Sequence, residues 1–490
     1  TMCPSYMVTL EEKHSTRGRA RLLGEMIRGE TITDGWKNEA VKEALDLCLA
    51  CKGCKGECPV QVDMATYKAE FLSHYYEGRL RPRSAYTMGH IHRWARLASL
   101  APGVVNALTH LPVFSAIARF VADVHSQRTI PRFASRTFKQ LFRERSRQNS
   151  ILSGTAGVTP ASAREPCSTN DAGETPAVPR VVQDGPALSR HGCVILWPDT
   201  FNNHFHPQTA LAAVEVLEKA GFSVEVPQAD VCCGRPLYDW GMLDEAKALL
   251  RQTLTTLRSE IREGVPIVVL EPSCASVFRE ELTNFFPDDE DAQRLRDQTF
   301  LLSDFLEQRA PDFSLPAFAK KALVHGHCHH KNIMKMEAEE SILKKMKVDY
   351  EMPETGCCGM AGAFGFEKEH YDVAMKCGER VLLPAVREQD KDTLIITDGF
   401  SCREQIAQTT ERQALHLAEV IQMALHQSGQ RNGEEYLERH YLAAHKPKAS
   451  LSAAEVGLLI GAGALLTLGV GLGLRSWRHR DDQRLSTTRR

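Results

Sequence analysis

Apolar and polar positions divide the chain into a helical first third, a polar interruption and a second half in which strand and helix patterns alternate. Between residues 7 and 47, Leu22, Leu23, Met26 and Ile27 recur at helical spacing, and Val41, Leu45 and Leu47 predict a second helix. From Met64 to about Arg147 the pattern stays helical, with breaks expected at Pro82, Pro102, Pro112 and Pro131. Residues 150–190 lose their large apolar side chains and become rich in Ser, Thr, Gly, Ala and Pro, the composition of a linker. From Gly192, the runs Cys193–Trp197, Ser223–Val226 and Val265–Leu270 predict buried strands, and Thr209–Ala220 and Asp244–Ile261 predict helices. The same order recurs from Ala322, with a strand to Gly326, a helix about Glu337–Met346, a strand near Tyr350, a helix about Glu367–Leu383 and a strand Thr393–Thr397. That recurrence predicts an internally duplicated α/β unit.

Composition adds little to the fold but narrows the partners. The 490 residues suffice for about three domains with sizeable cores. The net charge of -2 conceals a basic segment: residues 1–150 hold 23 Lys and Arg against 14 Asp and Glu. Without interleaved aromatics it does not read as a nucleic-acid surface, and a solvated helical face or an acidic partner fits better.

The 15 cysteines change the picture most. Cys48, Cys51, Cys54 and Cys58 form C-x2-C-x2-C-x3-C-P, the bacterial ferredoxin run, in which three thiolates hold one [4Fe-4S] cube and the cysteine before proline ligates another. Zinc sites pair two C-x2-C halves and match this spacing poorly, and a secretory disulfide framework is unsupported by any signal segment. Cys3-Pro4 looks like the last cysteine of an earlier run, so Cys3 is expected to join Cys48, Cys51 and Cys54, while Cys58 belongs to a cluster with ligands elsewhere. Local completion of the run by Cys58 stays open. On this reading the chain is expected to be a piece of a longer protein. Arg17, Arg19 and Arg21 are candidate donors to cluster sulfurs, against the plainer reading of a solvated face.

Within the duplicated unit, Cys193, Cys232-Cys233-Gly234 and Cys274 precede Cys328, Cys357-Cys358-Gly359 and Cys402. Each set offers four thiolates at strand ends and in a glycine turn, enough for one cluster. Cys167 and Cys377 have no partner at ligand spacing and are expected to be free thiols. His325-Gly326-His327-Cys328-His329-His330 is a candidate source of an imidazole that bonds or ligates the cluster at Cys328; the alternative is a polar loop after a strand. Gly359, Gly362 and Gly365 are expected to shape a turn and not to bind a nucleotide. No serine-histidine-acid set or phosphate loop is visible.

Cys232-Cys233-Gly234 and Cys357-Cys358-Gly359 with their flanking cysteines resemble the cysteine-rich CCG domains found in heterodisulfide reductase and in the iron–sulfur subunits of glycolate oxidase and glycerol-3-phosphate dehydrogenase. Met2-Cys3-Pro4-Ser5, His14 to Arg21, and Cys51-Lys52-Gly53-Cys54 through Lys68 resemble large FAD-linked oxidases, in which a flavin domain for 2-hydroxy acids precedes the iron–sulfur part. Two departures stand out. Glu271 and Gly399 stand where the CCG pattern usually has the first cysteine of a C-x2-C, which argues for four-thiolate clusters over fused non-cubane ones, and no flavin domain is present.

The resemblance implies an iron–sulfur electron-transfer module that carries electrons from FAD on a partner chain or missing N-terminal domain, reduced by glycolate or D-lactate, to a quinone or other carrier. The alternative is a heterodisulfide-reductase-like thiol/disulfide oxidoreductase; a zinc-stabilised scaffold is the non-enzymatic reading. The expected fold is α/β, with a helical ferredoxin-type domain at 1–148, a linker at 149–190, CCG domains at 191–315 and 316–430, a linker at 431–455, a transmembrane helix at 456–474 and a basic tail at 475–490. Val456–Leu474 carries no charge but six glycines, and spans about 28 Å as a helix, near the membrane core's roughly 30 Å. The expected location is cytoplasmic and membrane-associated through this helix, although the arginines beyond it favour a cytoplasmic C-terminus as well.

Overall fold

Proline opens helices in the first third instead of merely breaking them. Pro102 and Pro112 occupy the first turns of helices Pro102–His110 and Pro112–Ala122, where their missing N–H costs no helical hydrogen bond, and Pro82 caps Arg83–Thr87. The computed structural model describes residues 3–152, 192–426 and 435–445. Over these it is a mixed α/β structure, mostly helical, with two parallel sheets.

Side-chain caps set the N-terminal helices. Ser15 Oγ accepts from Gly18 N at 2.9 Å to start Thr16–Arg28, and Gly29 ends it in the left-handed region, at φ 69°. Asn38 and Asp63 cap Glu39–Asp46 and Met64–Tyr75 in the same way. The apolar faces so aligned meet in a small core around Leu23, Met26, Val41, Leu45, Met64 and Phe71.

Each α/β unit is a parallel sheet with helical crossovers. The first is ordered β2-β1-β3-β4, comprising β1 (Cys193–Leu196), β2 (Ser223–Glu225), β3 (Ile267–Val268) and β4 (Thr299–Phe300). The second is ordered β6-β5-β7, comprising β5 (Lys321–Val324), β6 (Asp349–Glu351) and β7 (Leu394–Ile396). The two-residue β4 was not expected, because Thr299-Phe300 is too short to show a period. The expected helix Asp244–Ile261 is two pieces, Leu243–Thr256 and Arg258–Arg262.

Helices Pro207–Lys219 and Leu417–Leu425 pack together between the units, and one apolar core runs through both sheets. Buried polar contacts fix their registry: Thr209 Oγ1 donates to Glu419 Oε1 at 2.9 Å and accepts from Arg403 Nη1 at 3.0 Å. Among the described residues no single helix is long and apolar enough to cross a membrane. The expected span 456–474 lies outside them.

The N-terminal segment reaches the second unit through His370, whose ring meets Glu367 at 2.7 Å and Asp46 at 3.1 Å. Burial disfavours the charged ring, but the bonds to Asp46 and Glu367 outweigh it and raise its pKa from 6.5 to about 9. The stability this contributes is full below 6.5 and lost as pH rises through about 9. His370→Gln is therefore expected to lower the melting temperature at pH 6 and to flatten its decline towards pH 9. Parallel parent and variant curves would refute the linkage.

Candidate metal centres

Between Glu39–Asp46 and Met64–Tyr75, Cys48 and Cys51 lie on a turn in which Ala50 and Lys52 take positive φ of 50° and 57°, and Cys54 lies on the short helix Gly53–Glu57 that Lys52 precedes. Cys3 arrives just ahead of helix Pro4–Thr9. Buried Arg19 holds this group: Nη1 donates to Cys3 Sγ at 2.9 Å, Nη2 to Ser5 Oγ at 2.9 Å and Nε to the Ala44 carbonyl at 2.7 Å. Burial opposes the Arg19 charge, but Cys48, Cys3 and Cys51 sustain it. Burial likewise works to raise the Cys3 thiol, and the Arg19 charge with the Ser5 and Arg19 bonds brings it below its usual value. Arg17 and Arg21 instead pair on the outer face with Glu12 and Glu25. Cys58, which does not line the shared cavity, has its thiol lowered by the backbone N–H groups of Val62, Val60 and Gln61, with no other cysteine among the influences on it.

In the second unit, Cys328, Cys357, Cys358 and Cys402 come together at the carboxyl end of the sheet, where open parallel sheets place their ligands. Gly359 lets the Cys357-Cys358 turn form. Its φ is 87°, a Cβ there would lie 1.9 Å from the Ala374 carbonyl oxygen, and its N–H donates to Cys357 Sγ at 3.4 Å. The sulfur interactions leave Cys358 well below its usual range and, with burial, drive Cys357 and Cys402 up.

The first unit departs from expectation. Cys232, Cys233 and Cys274 converge, with Cys233 and Cys274 sulfurs 3.0 Å apart and Gly234 N–H donating to Cys232 Sγ at 3.5 Å. Cys193, expected as the fourth ligand, starts β1 opposite Ser223, at the far end of the sheet, and its sulfur is disulfide-bonded. Register explains the correction. In both units the first strand pairs with residues 72 further on, and the equal four-residue strands β1 and β5 begin 128 residues apart, as Cys274 and Cys402 also stand, so Cys193 corresponds to Lys321. The position matching Cys328 is Thr200, whose hydroxyl interacts with Cys232. The first unit thus presents three thiols and one hydroxyl. Thr200 was missed because cysteines were matched to cysteines, whereas the strand offset would have found it.

The two positions that lack the expected extra cysteine have other work. Glu271 Oε1 accepts from Ser273, and Oε2 accepts from Phe400 N at 2.9 Å, joining the first unit to the helix that carries Cys402. A Cβ at Gly399 would meet His327 Cδ2 at 2.3 Å, so no side chain fits there.

The histidine run separates into four roles. One ligand atom each of His325, Cys358 and Cys402 lies within 4.8 Å of the others. His327 packs on Gly399, His329 donates Nε2 to the Ala50 carbonyl at 2.9 Å, and His330 turns towards Glu339. Cys377 is buried, its thiol pushed up to about 12 by burial and by nearby Cys3 and Cys358. Cys167 lies outside the described residues.

All three cysteine groups face one cavity of about 430 Å³, lined by Cys48 and Cys51, by Cys232, Cys233 and Cys274, and by Cys328, Cys357 and Cys358. These cysteines are free, and burial raises Cys51, whose next influences are Cys328 and Cys3. Soft donors crowded around a space no side chain fills fit iron–sulfur clusters, whose iron supplies the positive charge that buried thiolates require.

Family models agree with this donor set. Residues 1–63 match a 4Fe-4S dicluster domain, and 191–279 and 322–407 each match the cysteine-rich domain termed CCG. A D-2-hydroxyglutarate dehydrogenase of Pseudomonas putida is 26% identical over 454 residues, covering 86% of this chain and 41% of the relative. The chain thus spans about two-fifths of that protein's length. One subunit of the anaerobic glycerol-3-phosphate dehydrogenase of Escherichia coli is 28% identical over 244 residues, 48% of this chain and 58% of the relative. Lactate utilization protein A of Bacillus licheniformis is 30% identical over 231 residues, 44% of this chain and 93% of the relative.

Thr200→Cys tests the three-thiol set. Mild oxidation of the parent is expected to give the EPR signal of a three-iron cluster from the first unit, and the variant to suppress it without losing iron. A signal unchanged by the substitution would refute Thr200 as the fourth position.

Proposed function

Because the chain belongs to the family of iron–sulfur proteins with paired CCG domains that includes lactate utilization protein A, we propose that it is the electron-transfer part of an FAD-linked dehydrogenase for D-2-hydroxy acids. Glycolate and D-lactate are the expected substrates, and D-2-hydroxyglutarate joins them through the Pseudomonas putida relative. Cys3, Cys48, Cys51 and Cys54 would hold one [4Fe-4S] cluster, Cys328, Cys357, Cys358 and Cys402 a second, and Cys232, Cys233 and Cys274 with Thr200 a third. Bound there, the clusters supply one-electron steps that divide the electron pair of a reduced flavin. The observation that carries this reading is the shared cavity, which is lined by cysteines of all three groups.

The chain's own residues would tune and insulate these sites. Arg19 donates to a sulfur of the first site, which favours its reduced form, and Gly359 donates its backbone N–H to Cys357 of the second. Cys58, outside both groups, is suited to a cluster with ligands elsewhere in a longer protein or a partner.

A quinone acceptor at a membrane surface is supported by the apolar side of Pro102–His110 and Pro112–Ala122. Ile117, Phe120 and Val121 are exposed there, and Ala122, Asp123 and Val124 just beyond line the cavity. The expected tail span would hold this surface to the bilayer.

Anaerobically purified chain should be brown, contain iron and acid-labile sulfide, and be reduced by a flavin dehydrogenase partner given a D-2-hydroxy acid. Phe120→Asp is expected to cut quinone reduction at least fivefold while cluster reduction by the partner is unchanged. Colourless protein with stoichiometric zinc would refute the electron-transfer reading, and equal loss of both rates in Phe120→Asp would refute the acceptor surface. Reduction of a thiol-linked heterodisulfide by the chain would favour the alternative activity.

A further inference from the structure

A second set of metal-type donors lies outside the central cavity. His330, at the start of a π-helical turn His330–Met334, Glu339 on helix Glu337–Lys345 and Asp398 after β7 each offer one ligand atom, and these lie within 4.8 Å of one another. All three residues are buried, at 1%, 2% and 4% exposure, and none lines the cavity shared by the cysteines.

Their hydrogen bonding is incomplete. Glu339 Oε2 sits 3.3 Å from His330 Nδ1 without hydrogen-bond geometry, and neither Glu339 Oε2 nor His330 Nε2 has a hydrogen-bond partner. Asp398 Oδ1 accepts from Leu417 N at 2.9 Å and lies 3.5 Å from His416 Nε2. His416 Nδ1 accepts from Ala418 N, so its proton is on Nε2, which is directed at the Leu270 carbonyl and Asp398. His416 therefore orients Asp398 and leaves Asp398's remaining lone pairs for another partner. Among the described residues neither carboxylate forms an ion pair with lysine or arginine. Two adjacent buried carboxylates without a cation carry a large desolvation cost.

We infer that His330, Glu339 and Asp398 bind one divalent cation of the zinc or manganese type, separate from the iron–sulfur sites. One imidazole and two carboxylates suit such a borderline-to-hard ion better than a soft one. The ion would join three chain segments: the turn two residues beyond Cys328, the helix Glu337–Lys345, and the loop four residues before Cys402. It would thus brace both arms of the second cysteine group. The competing arrangement is a single proton shared by Glu339 and Asp398, which needs no metal.

Anaerobically purified full chain is analysed for zinc, manganese, iron and acid-labile sulfide, and X-ray absorption is recorded at the edge of whichever non-iron metal is found. The expected result is about one zinc or manganese per chain in a shell of nitrogen and oxygen, reduced at least tenfold in Glu339→Gln and in Asp398→Asn with iron and sulfide retained. No zinc or manganese in the parent, or a shell containing sulfur, overturns the site, as does metal undiminished in both variants. If the variants also lose iron through misfolding, the parent's absorption shell alone decides.

Discussion

The Ala50 carbonyl is the point on which the three parts of the molecule depend. It accepts from Arg235 of the first unit at 3.2 Å and from His329 of the second at 2.9 Å. Directly after it, the Cys51 carbonyl accepts from Asn332 at 2.9 Å, and Lys52 is buried against Asp63, Glu280 and Glu281 at 3.1, 2.6 and 2.6 Å. Arg235 shares Glu281 at 3.0 Å. A turn with two left-handed residues is thus gripped from both sides, which is what allows it to hold an unfavourable backbone and present Cys51 to the other units' cysteines.

Charge makes this arrangement coherent. Burial works against Lys52, yet Glu281, Asp63 and Glu280 more than offset it and raise its pKa above the usual lysine range. Arg19 does the equivalent for sulfur in the N-terminal group, where a cation meets thiols instead of carboxylates. Arg19 and Lys52 thus have anionic partners in the interior, whereas buried Arg128 and Lys139 are held by neutral acceptors, the Gly365 carbonyl and Gln405 for one and the Gln228 and Ala229 carbonyls for the other; Arg17 and Arg21 pair with Glu12 and Glu25 at the surface.

Duplication supplied two sheets with their cysteines at equivalent ends, but the copies are not equivalent in chemistry. Thr200 replaces a thiol in the first, while His325 stands beside the sulfurs of the second at the position of Trp197. Trp197 packs edge-on against Phe278 at 4.8 Å, so one copy spends this position on apolar packing and the other on an imidazole. Glu271 links the two across their boundary. Unlike donor sets are one means by which clusters in neighbouring sites take different potentials.

The linear sequence by itself determined the class of chemistry and the duplicated α/β units. Cysteine spacing is a local property, and strand and helix periods are set by neighbours a few residues away. Prolines 102 and 112 also marked helix boundaries correctly, although as starts. Only the tertiary structure decided which sulfurs meet. Cys193 begins β1, as its sequence pattern also has it, but only the parallel pairing of β1 with strands 30 and 72 residues away shows that this end lies opposite the loops where Cys232, Cys233 and Cys274 meet. The choice of Arg19 over Arg17 and Arg21, and the separate fates of four histidines in one six-residue run, likewise depend on which side of a turn faces another unit. Such facing is a long-range packing outcome, and no local pattern encodes it.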